Sequence, residues 1–328
     1  MKLGLTTKII AANAGAANAA ARCLGEGGLV GFPTETVYGL GADATDAHAV
    51  ARLYEAKGRP SFNPLIAHVE NLAAAKAIAL FDERGLRLAE AFWPGPLTLV
   101  LPKANNCPVC DLATAGLDTI AVRVPAHPVT QQILRAFKKP VVAPSANLSG
   151  HISPTTAAHV LSDLNGRIDL IVDGGPVSVG VESTIVGCFD QPILLRPGGV
   201  PRAEIEHVLG EALMRLPEDG AEQSSPLAPG MLASHYAPRT PVRLNARTVE
   251  QGEVLLAFGP NALVAGNTAG VMNLSQQGDL VEAAANLFSY LRALDTKGAR
   301  GIAVMPIPET GLGEAINDRL RRAAVPQT

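Results

Sequence analysis

Short apolar runs alternate with longer amphipathic stretches through most of the chain. Each run is bounded by turn-forming residues and is too short for a buried helix, so we predict that these runs are strands. They cover residues 29–32, 65–67, 97–101, 120–124, 141–143 and 170–172. Strands that alternate with helical patterns predict an α/β domain.

The helical patterns between these runs carry signals for where each helix begins. Residues 46–57 place apolar side chains on one face, behind a capping residue at Thr45 or Asp46. That face consists of Val50, Leu53 and Tyr54. A second helix is predicted to begin at Ser153, because serine caps helices well and Pro154 suits the first helical position. It is expected to run through Val160 and Leu161.

The chain changes character after a helical pattern at residues 203–216. Residues 217–241 are rich in proline, glycine, serine and acidic side chains and show no sustained apolar period, which predicts a linker. Beyond them, strand patterns at 254–258 and 302–305 and a helical pattern at 279–294 precede a final helix. We therefore predict a first domain at residues 1–212, a linker at 213–241 and a small C-terminal α/β domain at 242–328.

Composition narrows the class of protein. The chain is 47% hydrophobic and 17% charged, which is typical of a folded globule. It has no apolar run of about 18 residues and a poor signal-peptide pattern at its start, so we expect neither a membrane span nor export. A net charge of −3 argues against a surface that grips nucleic-acid phosphates, although a local basic site stays open. The expected location is the cytoplasm.

The four cysteines are too few and too scattered to build a disulfide scaffold in a chain of 328 residues. Cys107 and Cys110 form a lone CxxC pair, and a common zinc site would need a second pair. We interpret the pair as part of a surface loop in a reducing compartment, and we predict no protein-held metal.

Polar segments at strand ends are the first candidates for chemistry. Residues 32–41 follow an apolar run and carry hydroxyls, a carboxylate and two glycines, and α/β proteins place ligands at such loops. Residues 57–65 place Lys57, Arg59 and a hydroxyl around a glycine, a set suited to phosphate oxygens. The alternatives are a simple helix-capping turn for the first segment and cations that favour a helix C-terminus for the second.

Two later segments have a similar character. Residues 143–150 cluster hydroxyls and an amide between a strand and a helix start, where backbone N–H groups favour an anion. Residues 181–186 lead to Arg196 in a glycine-rich turn, and a structural hairpin is the alternative there. The chain has no GxxxxGK[ST] phosphate loop, no HExxH motif and no persuasive Ser-His-Asp set. The chemistry is therefore expected to depend on hydroxyls and cations.

These segments, in this order, closely resemble the threonylcarbamoyl-AMP synthase family. The motifs are FPTETVYGLGADA, KGRPSFNPL, WPGPLTLVL, AVRVPAHP, PVVAPSANLSG, VESTIV and LRPG, and the match extends over roughly residues 15–200. Residues 229–238 resemble the linker signature of longer, two-domain members. The resemblance implies a twisted mixed sheet with flanking helices, called YrdC-like, followed by a small Rossmann-like α/β domain.

The resemblance also implies an activity. Bicarbonate joins the amine of L-threonine, and the resulting carbamate takes adenylate from ATP with release of pyrophosphate. Magnesium is expected on the phosphates. The product serves tRNA-modifying transferase proteins that form N6-threonylcarbamoyladenosine in tRNA, so no stable nucleic-acid complex is expected.

By the same resemblance, site residues can be assigned to each substrate. The residues expected around L-threonine are Thr34, His68, Arg123 and Ser183. The residues expected around ATP are Lys57, Ser61, Thr119, Ser145, Asn147, Ser153, Arg196 and Tyr236. Lys57 and Arg59 are expected to stabilise the transition state of adenylate transfer.

Other functions compete with this one. An RNA-binding or regulatory YrdC-like module is disfavoured by the net charge. A carbamoyl transferase of the hydrogenase-maturation type would carry zinc-finger and acylphosphatase-like modules. The linker residues before His235 read Leu-Ala-Ser where some family members carry a basic residue, so a phosphate role for the linker is less supported. We nevertheless expect the linker and Tyr236 to close over the filled site.

Overall fold

The computed structural model describes residues 5–215, 236–261 and 270–325. They form a large-sheet unit (residues 5–215) and a small-sheet unit (residues 242–325). The strands of the large-sheet unit are β1 (Lys8–Ala11), β2 (Val30–Pro33), β3 (Tyr38–Asp43), β4 (Ile66–His68), β5 (Leu97–Pro102), β6 (Thr119–Arg123), β7 (Val141–Val142), β8 (Leu170–Asp173), β9 (Thr184–Cys188), β10 (Pro192–Arg196) and β11 (Met214–Arg215). Its helices are α1 (Ala16–Gly25), α2 (Ala47–Lys57), α3 (Leu72–Lys76), α4 (Glu83–Phe92), α5 (Pro128–Phe137), α6 (Ala157–Leu164) and α7 (Arg202–Leu209).

The large sheet is mixed, with the strand order β1-β8-β2-β3-β7-β4-β6-β5-β9-β10-β11. Strands β4 and β6 are parallel and place His68 beside Arg123, while β7 runs antiparallel to β4 and places Val141 beside His68. Because side chains alternate between the faces of a strand, Ile66 and His68 point to the same face. That face of β4, β6 and β7 is where the polar segments meet.

The predicted helix at residues 46–57 is confirmed. The carboxylate of Asp46 accepts a hydrogen bond from the backbone N–H of His48, and the helix ends at Gly58 in the left-handed region (φ 60°). Glycine adopts this conformation without the steric cost that a side chain would bring. Val50, Leu53 and Tyr54 are buried as predicted. The turn at Gly58 directs the chain from Lys57 towards Arg59.

Two helix predictions are wrong at their ends. Helix α6 begins at Ala157 rather than beside Ser153, because the Thr156 hydroxyl supplies the N-cap and the Ser153 hydroxyl is bonded to Glu182 instead. The pattern at residues 203–216 yields a helix that stops at Leu209, because Gly210 takes a left-handed conformation (φ 74°). The chain then forms the short strand β11 beside β10.

The small-sheet unit contains strands β12 (Val242–Arg243), β13 (Glu253–Ala257), β14 (Val271–Asn273) and β15 (Gly301–Val304), with helices α8 (Leu280–Asp295) and α9 (Gly313–Ala324). All of its strand pairs are parallel, in the order β12-β15-β13-β14. Its apolar core is continuous with Val37, Ile152 and Val181 of the large-sheet unit, so the two units pack directly together.

This architecture confirms the predicted fold class, a mixed α/β sheet with flanking helices followed by a small α/β unit with a parallel sheet. The predicted domain limits stay a prediction, and the large sheet extends to Arg215. Most of the predicted linker, including His235, lies outside the described residues. Every helix in the described ranges is too short or too polar to cross a bilayer.

Candidate active site

A buried cavity of about 50 Å³ lies on the face formed by β4, β6 and β7. Its walls include seven of the residues predicted from the sequence: Arg59, His68, Arg123, Ser145, Ser183, Arg196 and Tyr236. Ligand pockets commonly measure about 300 to 1,000 Å³, so a nucleotide and an amino acid can enter only if some wall residues move.

Arg123 is held at the end of β6 by three groups. Its Nη2 donates to Oε1 of Glu35 at 2.6 Å, its Nη1 to the Thr36 hydroxyl at 3.0 Å, and its Nε to the carbonyl oxygen of Gly95 at 3.2 Å. Burial alone would raise the pKa of Glu35, but Arg123 and the backbone N–H of Ala126 hold it below its ordinary value. The guanidinium is thus fixed in position by an ionised carboxylate, and sequence reasoning did not single out that carboxylate.

Thr34 shapes the turn between β2 and β3. Its hydroxyl lies 2.6 Å from the carbonyl oxygen of Val37 and 2.8 Å from the hydroxyl of Thr36. Thr36 and Val37 line the cavity. Thr34 is itself buried within the turn, where it holds the lining residues in place.

His68 is an uncharged member of the cavity wall. Burial, assisted by the nearby Arg123, lowers its pKa to about 3. Its Nδ1 lies 3.1 Å from the carbonyl oxygen of Ile66, which can only accept a hydrogen bond. His68 therefore contributes a neutral hydrogen-bonding ring beside the guanidinium of Arg123.

Lys57 and Arg59 approach the cavity from the end of α2. The Nζ of Lys57 donates to the carbonyl oxygens of Ser145 and Asn147, each at 2.5 Å. Burial and the neighbouring Arg59 lower the pKa of Lys57 well below its ordinary value. Burial also lowers the pKa of Arg59, to about 10, and its Nη2 donates to the carbonyl oxygen of Pro64 at 3.1 Å. An anion bound beside these two buried side chains would favour their charged forms.

Ser183 and Arg196 form a linked pair in the cavity wall. The Arg196 Nη2 donates to the carbonyl oxygen of Ser183 at 2.9 Å, and the Ser183 hydroxyl lies 2.8 Å from that of Thr98. A Cβ at Gly198 would lie 2.4 Å from the carbonyl oxygen of Glu182. The glycine that follows Arg196 in the sequence is therefore required for the two segments to approach each other.

Glu182 lines the cavity, and its partners come from distant parts of the chain. One carboxylate oxygen accepts a hydrogen bond from the Ser153 hydroxyl at 2.5 Å, and the other accepts one from Nε of Arg319 at 2.7 Å. The guanidinium of Arg319 also lies 5.2 Å from the ring centre of Tyr236, which stacks on Phe288. Sequence analysis could have noted Glu182 from its position before Ser183, but α9 gave no signal for Arg319.

Five predicted nucleotide residues are not part of the cavity wall: Lys57 and Ser153, whose contacts are described above, and Ser61, Thr119 and Asn147. Ser61 is exposed in the turn after Arg59. Thr119 starts β6 on the same face as Arg123, about 13 Å further along the strand, at about 3.3 Å per residue. The Asn147 side chain is buried, and its Nδ2 donates to the carbonyl oxygens of Leu148 and His151. Asn147 is therefore placed to shape the loop that receives Lys57.

The described residues offer no group of three or more histidine, cysteine or acidic side chains that could hold a metal ion. The cavity carboxylate of Glu182 and the nearby carboxylate of Glu35 are each committed to an arginine. A magnesium ion prefers oxygen ligands and often binds through substrate phosphates. The side chains of the described residues thus supply no fit for a resident magnesium, which would there have to be bound by the nucleotide phosphates.

Comparisons with known proteins cover nearly the whole chain. The Sua5-YciO-YrdC family model, described as "Telomere recombination", matches residues 22–198, and the model for the C-terminal domain of threonylcarbamoyl-AMP synthase matches residues 200–325. The chain is 43% identical to the threonylcarbamoyl-AMP synthase of Pyrococcus abyssi, with 93% of each chain covered. It is 41% identical to that of Bacillus subtilis, with 93% of this chain and 92% of the other covered.

A solved structure agrees with these matches. The crystal structure of Pyrococcus abyssi Sua5 complexed with L-threonine superposes with a TM-score of 0.87. The two chains are 39% identical, and the superposition covers 97% of each. The likeness therefore includes both sheet units and the packing between them.

Proposed function

The chain belongs to the threonylcarbamoyl-AMP synthase family, and on that premise we propose the reaction that its cavity carries out. The protein is an L-threonylcarbamoyladenylate synthase, an adenylyl-transferring enzyme. It converts ATP, L-threonine and bicarbonate into threonylcarbamoyl-AMP, pyrophosphate and water. A C–N bond forms between bicarbonate carbon and the threonine amine with loss of water, and a carbamate oxygen then displaces pyrophosphate from the α-phosphorus.

One observation supports this proposal most directly. Arg59, Arg123 and Arg196, which come from separate segments, surround a single buried cavity together with hydroxyls. A cavity that is rich in cations and hydroxyls and has no activated nucleophile suits a reaction catalysed by positioning and charge neutralisation. No covalent enzyme intermediate is needed.

The two substrates are proposed to occupy different ends of the cavity. Arg123 presents a planar guanidinium that matches a carboxylate, and neutral His68 lies beside it, so this end suits L-threonine, with the Ser183 hydroxyl in the same cavity wall. Lys57, Arg59 and Arg196 would supply positive charge for a triphosphate, and Ser145 would supply a hydroxyl. Thr119 lies along the same face of β6, which suits a nucleotide extended away from the amino acid.

The same proposal gives the remaining predicted residues their roles. Asn147 and Ser153 border the nucleotide end, where they hold Lys57 and Glu182, and Ser61 would meet the nucleotide from the turn after Arg59. Tyr236 covers the nucleotide end from the side of the small-sheet unit. Closure by the linker stays a prediction, because residues 216–235 lie outside the described part of the chain.

Omission of single substrates tests the proposal. Purified protein is incubated with ATP, magnesium, L-threonine and bicarbonate, and pyrophosphate release is measured with each component left out in turn. Release that depends on all three substrates is expected. Release with ATP alone would indicate a generic ATPase, and salt-dependent tRNA binding without turnover would favour the RNA-binding alternative.

The wider setting follows from the product. A mixed anhydride of a carbamate and AMP is reactive, so we propose that tRNA-modifying transferase proteins consume it soon after release, and that this happens in the cytoplasm. Magnesium accompanies ATP in this proposal as a counterion bound to the triphosphate.

A further inference from the structure

Glu182 places a negatively charged carboxylate in a site that is proposed to bind a triphosphate, which is itself negatively charged. Its carboxylate lines the cavity and the residue is 6% exposed, among three arginines and several hydroxyls. A buried carboxylate that faces phosphate oxygens repels them strongly, because the interior screens charge poorly. The charge on Glu182 must therefore be neutralised for a nucleotide to bind there.

The neutralising cation comes from the other sheet unit. Arg319 of α9 donates from Nε to Oε2 of Glu182 at 2.7 Å and from Nη1 to Asp318 at 2.6 Å. The side chain of Arg319 is fully buried, at 0% exposure. Its guanidinium also covers the ring of Tyr236. Arg319 therefore connects the small-sheet unit to the cavity wall through one carboxylate.

Arg196 is the alternative partner for that carboxylate. Burial would raise the pKa of Glu182, and the charges of both Arg319 and Arg196 hold it below its ordinary value, so both lie within electrostatic reach. In the structure Arg196 bonds to the carbonyl oxygen and the hydroxyl of Ser183. Without Arg319, Glu182 would attract Arg196 away from Ser183.

We propose that Arg319 is a positioning residue for the nucleotide end of the cavity. By holding Glu182 it neutralises the carboxylate, keeps the Ser153 hydroxyl bonded to it and leaves Arg196 on Ser183. The small-sheet unit thus completes the nucleotide site without a direct contact between Arg319 and the reacting atoms. This inference rests on the proposed function, because it assumes that a nucleotide occupies this end.

A second ion pair between the two units provides a matched control. Arg202 of α7 bonds to Glu314 of α9 at 2.7 Å, with side-chain exposures of 15% and 19%. Neither residue lines the cavity. Loss of this partly buried ion pair should weaken the packing between the units. It should not change the charge in the cavity.

The test compares five variants of the full-length protein. They are Arg319→Met, Arg319→Lys, Glu182→Gln, the double variant of Arg319→Met with Glu182→Gln, and Arg202→Met. Calorimetric titration gives the Kd for ATP, and pyrophosphate release gives the KM for each substrate. Arg319→Met is expected to raise the Kd and KM for ATP about tenfold or more, the scale of one charge-assisted hydrogen bond, with little change in the KM for threonine. Arg319→Lys should recover part of the loss, and Arg202→Met should leave ATP binding unchanged.

The double variant and the pH dependence distinguish positioning from simple packing. Removal of the carboxylate in the double variant should restore part of the ATP affinity lost in Arg319→Met. The groups that face Glu182 are Arg319, Arg196, Ser153 and Tyr236, with Asp318 behind Arg319. In Arg319→Met, burial raises the pKa of Glu182, so ATP should bind more tightly as the pH falls and the carboxylate takes up a proton. The double variant should lack this pH dependence.

Other outcomes would overturn the inference. Unchanged ATP affinity in Arg319→Met would do so. So would an equal loss of affinity for ATP and for threonine that is the same in Arg319→Met and in Arg202→Met, because Arg319 would then act only in packing between the units. A double variant weaker than Arg319→Met would also contradict it. If the wild-type protein binds ATP but releases no threonine-dependent pyrophosphate, the proposed function fails, while the calorimetric comparison still tests Arg319.

Discussion

Two buried pairs of a carboxylate and an arginine border the same cavity, and they differ in origin. In the Glu35–Arg123 pair both residues belong to the large-sheet unit, and the arginine faces the cavity. In the Glu182–Arg319 pair the carboxylate faces the cavity, and the arginine comes from the small-sheet unit. In our proposal the first pair presents a cation to the ligand, whereas in the second pair the arginine neutralises a carboxylate. On that proposal one end of the site is formed within a single unit, and the other depends on both units.

Arg123→Ala is expected to have the largest effect. It removes the cation proposed for the threonine carboxylate and leaves Glu35 buried without its partner. Truncation of a buried, hydrogen-bonded charge typically costs about 2 to 5 kcal/mol of binding free energy. The catalytic efficiency for threonine should fall by about the same free energy. Pyrophosphate release at varied threonine concentration measures it, and thermal unfolding checks the fold.

Arg123→Lys serves as the matched variant, because it keeps a charge for Glu35 but loses the planar fork. It should fold normally and still bind threonine weakly. If Arg123→Lys weakened ATP binding and left threonine binding intact, the assignment of the two ends of the cavity would be reversed.

Lys57→Ala sharpens the comparison, because within the described residues the Nζ of Lys57 is held by two backbone carbonyl oxygens rather than by a carboxylate. Burial lowers the pKa of this amine, and a bound phosphate would favour its charged form. Its loss should cost about 2 to 4 kcal/mol of transition-state stabilisation, by analogy with a single oxyanion donor, while the fold is retained. Single-turnover measurement of adenylate transfer tests this, and a wild-type rate would refute the role of Lys57.

The sequence predicted the members of the cavity wall better than their partners. Arg59 lies between Gly58 and Pro60, and Arg196 precedes Pro197 and Gly198, a local signal that can be read from a few residues, whereas Arg123 was assigned from the family resemblance. Arg319 lies in a helix whose charged residues have the spacing of a solvated face, and its partner is 137 residues away. The error at Ser153 has the same origin, because its hydroxyl bonds to Glu182 rather than capping a helix. Contacts between distant residues carry no local pattern.

Acid unfolding of Glu35→Gln is expected to give the smallest effect, and it tests whether the first pair is ionised in the folded protein. The pKa of Glu35 is lowered from 4.5 in the folded state, so the folded protein binds fewer protons than the unfolded chain near and below that pH. The stabilising contribution of Glu35 is therefore complete above the ordinary pKa and is lost as the pH falls through the folded-state pKa. Urea unfolding at several values from about pH 6 to about pH 3 should show a shallower decline in the free energy of unfolding for Glu35→Gln than for the wild type. Glu90→Gln, which changes an exposed carboxylate, is the control and should retain the wild-type decline. Equal slopes for Glu35→Gln and the wild type would mean that Glu35 is not held ionised by Arg123, and the threonine end would then lack the fixed guanidinium on which its proposed role depends.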